Sequence, residues 1–181
     1  YIDFLGNTTM AAKEIQGGDG GFCEIGKVNP NAFFAGLPAG TVTRSSSKGG
    51  GFNLFYDDRI DASGDGGIDE GADWLTPFAL WEQPDTGRAF YILGAGGVGG
   101  NSGHMWLTTG AMNFSVDPDW FRFPLTSGWV TCVAFSKDGD HAYAGTSNGF
   151  LYRYSNLLAV DEAGKFSYPS ISSTAAAWNA V

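Results

Sequence analysis

Short apolar runs alternate with glycine-rich turns along most of the chain. The clearest stretch is Trp129 to Ser155. Val130-Thr131-Cys132-Val133-Ala134-Phe135 reads as one strand, Lys137-Asp138-Gly139-Asp140 as a turn, and His141-Ala142-Tyr143-Ala144-Gly145 as a second strand. Ser147-Asn148-Gly149 turns the chain again into Phe150 to Tyr154. Asp-Gly and Asn-Gly between apolar runs mark hairpins, because glycine accepts the positive φ that such turns demand.

The same stretch overlays two others. Sliding Cys23 onto Cys132 places Cys23–Ser46 on Cys132–Ser155 without a gap, bringing Ala35-Gly36 onto Ala144-Gly145, Gly40 onto Gly149 and Arg44 onto Arg153. Sliding Trp74 onto Trp129 places Trp74–Leu80 on Trp129–Phe135. After that middle copy come a turn at Pro84–Gly87, a second strand at Ala89–Gly94, a third at His104–Thr109 and a fourth at Trp120–Pro124. Ala177-Trp178-Asn179 reads as the start of a further copy. Four strands in a unit of roughly 55 residues is the pattern of propeller blades. The predicted fold is therefore all-β, with blades at 22–73, 74–128 and 129–177, a preceding segment at 1–21 and the start of a next blade at 178–181. Three blades do not close a ring, so the expectation is part of a larger propeller.

At Val133-Ala134-Phe135-Ser136-Lys137-Asp138-Gly139 and Ala142-Tyr143-Ala144-Gly145-Thr146-Ser147-Asn148-Gly149, the chain resembles WD40-type and related bacterial surface β-propeller repeats. The Trp-Asp dipeptide that closes a WD40 blade is missing, so the resemblance is to a divergent propeller. It covers Phe22 to Ser155 and implies the fold far more than any function.

Composition narrows the partners. In 181 residues there are 28 glycines, 15% aromatics and only 16% charged residues, with a net charge of −9. No Lys/Arg cluster is present, which argues against nucleic acid and against an anionic membrane. No apolar run is long enough for a transmembrane segment. Low charge with abundant glycine and aromatics suits an extracellular or bacterial cell-surface protein. The two cysteines, Cys23 and Cys132, are too few for a disulfide framework or a metal cage and read as small buried residues.

Two motifs compete with a purely structural reading. Gly94-Ala95-Gly96-Gly97-Val98-Gly99 follows an apolar strand as G-x-G-x-x-G does in dinucleotide-binding folds, but the residues after it are β-like, so no helix can receive a pyrophosphate. A long hairpin loop is expected there instead. The second motif, Asp61-Ala62-Ser63-Gly64-Asp65-Gly66-Gly67-Ile68-Asp69, carries oxygen ligands at positions 1, 3, 5 and 9 with glycine at 6. That is the front half of a calcium loop. Asp61, Ser63, Asp65 and Asp69 would supply side chains and Gly67 a carbonyl. Position 12 is Ala72, leaving Glu70 or Asp73 to stand in for the usual acid. The loop resembles the calcium hairpins of integrin-type propellers; the plainer alternative is a solvated acidic insertion.

Catalytic constellations are poor. His104 and His141 have no sequence-evident nucleophile or orienting acid. Trp74 and Trp129 recur and are expected to wedge between blades, whereas Trp81, Trp106 and Trp120 do not recur and are the candidates for an exposed binding surface. The sequence thus favours a non-catalytic scaffold that binds other protein subunits, the remainder of the propeller, or a glycan. A propeller-based glycan-active enzyme and a structural subunit of a surface assembly are the alternatives.

Overall fold

The computed structural model describes residues 14–56, 60–64, 66–69, 71–96, 102–123 and 127–159, and the backbone of 173–177. The architecture is all-β. Among the described residues, twelve strands form three four-stranded antiparallel sheets, each a simple meander in chain order. The first sheet comprises β1 (Cys23–Ile25), β2 (Phe33–Gly36), β3 (Val42–Ser45) and β4 (Asn53–Leu54). The second comprises β5 (Phe78–Gln83), β6 (Arg88–Gly94), β7 (Met105–Thr108) and β8 (Phe121–Phe123). The third comprises β9 (Val130–Phe135), β10 (His141–Thr146), β11 (Phe150–Ser155) and β12 (Ser173–Ala177).

Glycine sets several of the tight turns. Gly87, Gly139 and Gly149 adopt φ of 69°, 77° and 79°, a region that side chains with a Cβ avoid. Gly139 has a second reason to be bare: an added Cβ would lie 2.2 Å from the Trp81 ring of the neighbouring sheet.

Pairing registers relate the sheets. Phe33↔Ser45, Phe34↔Arg44, Ala35↔Thr43 and Gly36↔Val42 in the first sheet correspond to Ala142↔Tyr154, Tyr143↔Arg153, Ala144↔Tyr152 and Gly145↔Leu151 in the third, under the same slide that carries Cys23 to Cys132. The second sheet fits as well. Phe78↔Leu93 corresponds to Val133↔Ala144, with β5 following the slide of Trp74 onto Trp129 and β6 the slightly shorter slide of Gly94 onto Gly145. The first hairpin departs from the ungapped overlay. Cys23 pairs with Ala35, whereas Cys132 pairs with Gly145 rather than Ala144. The turn after Ile25 is one residue longer than the turn after Phe135, so by pairing Cys23 matches Val133.

The sheets pack face to face, and the middle one is covered on both sides. On β6, Tyr91 and Leu93 enter one apolar cluster with Phe34, Val42 and Phe55 of the first sheet region, while Phe90 and Ile92 enter another with Ala142, Ala144 and Tyr152 of the third. Such two-sided burial turns a strand into a continuous apolar run, as in Ala89-Phe90-Tyr91-Ile92-Leu93. Among the described residues the stack is open and forms no closed ring.

Several sequence expectations change at this point. Cys23 and Cys132 are exposed, not buried, because each lies on the outward face of an end sheet. Trp74 is 60% exposed rather than wedged between sheets. It precedes β5, so no ladder holds it in a packed face. Trp106 and Trp120 are only 4% and 0% exposed. Trp106 sits mid-strand on the doubly covered sheet, and Trp120 is held by its indole N–H, which donates to the Phe55 carbonyl at 2.8 Å. Trp81 is half-buried, stacked on Phe90 at 5.3 Å and donating to the Lys137 carbonyl at 3.2 Å. Ala177 ends β12 instead of opening a further copy; residues 178–181, and the Thr9–Lys13 part of the N-terminal segment, lie outside the described residues.

Candidate functional site: an acidic bend beside the sheet stack

The acidic motif becomes a closed bend between β4 and β5. Ile60 and Ile68, 1% and 5% exposed, anchor its two ends in the cluster between the first and second sheets. The Asp69 N–H donates to the Ile60 carbonyl at 3.0 Å, so the two ends meet. Between them Gly64 and Gly66 take φ of 71° and 87°, which lets the backbone turn its N–H groups inward.

Two carboxylates converge on this bend from opposite ends. Asp61 Oδ1 accepts from the Gly64 N–H at 2.8 Å and from the Ser63 hydroxyl at 3.2 Å, and its Oδ2 accepts from the Gly66 N–H at 2.9 Å. Asp69 Oδ2 accepts from the Ala62 N–H at 2.7 Å and from the Ser63 N–H at 3.2 Å. Hydrogen bonding from Ser63, opposed by partial desolvation and aided by the Ala62 and Ser63 N–H groups, holds the Asp69 carboxyl below its ordinary range. The structure therefore brings Asp61, Ser63 and Asp69 together, with the Gly67 backbone in the same bend. Asp65 and Glu70 lie outside the described residues.

Asp73, the other stand-in acid, is tied to two tryptophans. Its Oδ1 accepts from the Trp74 N–H at 2.7 Å and its Oδ2 from the indole N–H of half-buried Trp129 at 3.1 Å. Ala72, at position 12, forms a parallel bridge with Gly96. Among the described residues, no three His, Cys, Asp or Glu side chains group as a metal site. The oxygen chemistry of Asp61, Ser63 and Asp69 suits a hard cation, while their N–H partners already hold the bend closed.

A carboxylate held low stabilises only while it is ionised. Asp69 thus stabilises the bend above the ordinary aspartate range, and the contribution is lost as pH falls through its lowered value. In an acid titration followed by amide exchange, the Ala62 and Ser63 amides should lose protection below that range. In Asp69→Asn the acid-dependent step should disappear.

Gly94, which opens the glycine motif, is a packing position. β6 and β7 pair antiparallel, with Gly94 opposite Met105, so the segment between them closes a hairpin. Residues 97–101 lie outside the described residues. A Cβ on Gly94 would lie 2.4 Å from Val130 Cγ1, and one on Gly103 would lie 2.4 Å from the Ala95 carbonyl oxygen. These glycines let β9 approach β6. Gly94→Ala should destabilise by about 1–3 kcal/mol through overpacking, read as a lower midpoint in urea unfolding; unchanged stability would contradict the packing assignment.

His104 and His141 lie at the starts of β7 and β10 on different sheets, and each is half-buried. His141 Nδ1 is buried without a hydrogen-bond partner. No helix of the described residues is long and apolar enough to cross a membrane. No family model matches the chain, and no curated protein matches it.

Proposed function

We propose that the chain contributes blades to a divergent β-propeller that acts as a non-catalytic binding scaffold for protein or glycan partners, with calcium held at the acidic bend. The observation that carries this reading is the common facing of registered positions. Phe34 and Arg44 of the first sheet face the second. Ile92 and Leu107, their counterparts by pairing, face the third. Each sheet thus presents the same positions in the same direction along the stack, as successive blades do in a ring. Much of the aromatic content is used in packing, including Phe34, Phe55, Tyr91 and Trp120, which supports a scaffold over a catalytic cleft. The acidic, lysine-poor composition supports a place outside the cell or on a bacterial surface.

Class averages from electron microscopy of the purified protein test the ring. Three propeller blades give a curved arc, closed into a disc where further sheets join it; a straight stack of sheets overturns the propeller. Calcium is tested separately. Millimolar calcium should raise the thermal midpoint of the native chain and leave Asp61→Asn unmoved, and no shift in the native chain removes the metal assignment.

A further inference from the structure

The two ends of the stack are unlike halves of one interface. Inside the molecule, the face of the first sheet that meets the second is closed: Ala32, Phe34 and Val42 are at most 1% exposed and Arg44 is 4% exposed. Arg44 closes it with polar bonds, donating through Nη1 to the Ala111 and Asn113 carbonyls at 2.8 Å each and through Nη2 to the Val116 carbonyl at 2.7 Å. Its acceptors all lie in the segment between β7 and β8. The corresponding face of the third sheet is open. Cys132, Ala134 and Arg153 are exposed, and His141, Tyr143 and Leu151 are only half-buried. Register puts Tyr143 where Phe34 stands, Leu151 where Val42 stands and Arg153 where Arg44 stands.

At the other end, the opposite face of the first sheet is also incompletely covered. Ile25 pairs with Phe33 and Leu54 with Thr43, which places all four on that side. Ile25 is 54% exposed, Leu54 is 43% exposed, and Cys23 beside them is exposed. The counterparts of Cys23, Ile25 and Phe33 in the second sheet are Phe78, Leu80 and Tyr91, which pack against the first sheet. One chain therefore carries both surfaces of the sheet-to-sheet contact it makes internally, one at each end.

We propose that a second copy of this chain covers these faces head to tail, the outward face of its first sheet seating on the outward face of the third sheet. The proposal rests on the propeller reading above and names the source of the missing sheets. Arg153 would reach backbone carbonyls between β3 and β4 of the second copy, as Arg44 reaches those between β7 and β8. The contact is heterologous, and a heterologous contact that closes makes a ring. Two copies bring the sheets to six, inside the range of about four to eight that propellers close.

Sedimentation of the purified chain should give a species of twice 19.1 kDa. Arg153→Glu and Ile25→Asp alter opposite, exposed positions, and each should weaken the dimer about tenfold or more while leaving thermal unfolding cooperative. An equimolar mixture of the two variants should recover dimer, because one intact face of each kind remains. A monomeric native chain overturns the proposal, as does a dimer insensitive to either variant or a mixture that stays monomeric. Amide exchange on the same samples separates the two levels. Protected β6 and β7 in a monomer leave the stacked sheets intact and remove only the second copy, whereas their loss of protection removes the blade reading itself.

Discussion

Arg44→Ala should lower unfolding stability by about 3–5 kcal/mol, among the largest effects of any single substitution in this chain. The guanidinium is buried between the first two sheets, and burial pushes its pKa down to about 10, with the Asp117 charge opposing the shift. It stays cationic at neutral pH and lies 5.0 Å from the ring centres of both Phe55 and Phe114. Removing it strips the Ala111, Asn113 and Val116 carbonyls of their donor and opens a gap between two aromatic rings. Arg44→Lys should recover only part of the loss, since one ammonium cannot span the fork from Asn113 to Val116. Urea unfolding of the three proteins checks the order native, Lys, Ala. An Ala variant within about 0.5 kcal/mol of native would mean that the staple does not hold these sheets together.

Trp120→Ala should cost about 3–5 kcal/mol. The ring is fully buried and lies 5.5 Å from Phe55 and 6.0 Å from Tyr91, so its loss empties the centre of the cluster between the first and second sheets. Its N–H bond to the Phe55 carbonyl is a smaller part of the total, about 1–2 kcal/mol. The experiment separates a packing tryptophan from a ligand platform. A platform would lose binding with little change in melting, whereas this ring should move the melting midpoint by many degrees.

The strands were legible because the signals that make them are local. Asp138-Gly139 and Asn148-Gly149 stand between apolar runs, and the ladders form where those turns put them. The overlays of Cys23 on Cys132 and of Trp74 on Trp129 were legible because glycine and paired strand residues keep their spacing within a hairpin. The slip in the first hairpin was not. A turn longer by one residue leaves the composition nearly unchanged but moves Cys23 one step along its partner. Side-chain exposure was the weakest inference. Recurrence fixed the positions of Trp74 and Trp129 in the chain, but both precede their strands, where recurrence says nothing about which face is covered. The burial of Trp106 has a signal in its partner strand, which is apolar on both faces and therefore covered twice. The acidic bend was readable as a closed loop from its glycines, whereas the diversion of Asp73 to Trp129 depends on a contact between distant segments.

The fold turns on a middle sheet enclosed by its two neighbours, and amide hydrogen exchange resolved by residue tests that most directly. β6 and β7 should be the slowest-exchanging strands, with the Tyr91, Ile92 and Leu93 amides opening only on global unfolding, while β1, β4 and β9 exchange sooner. Exchange in β6 as fast as in β4 would contradict the stacked arrangement.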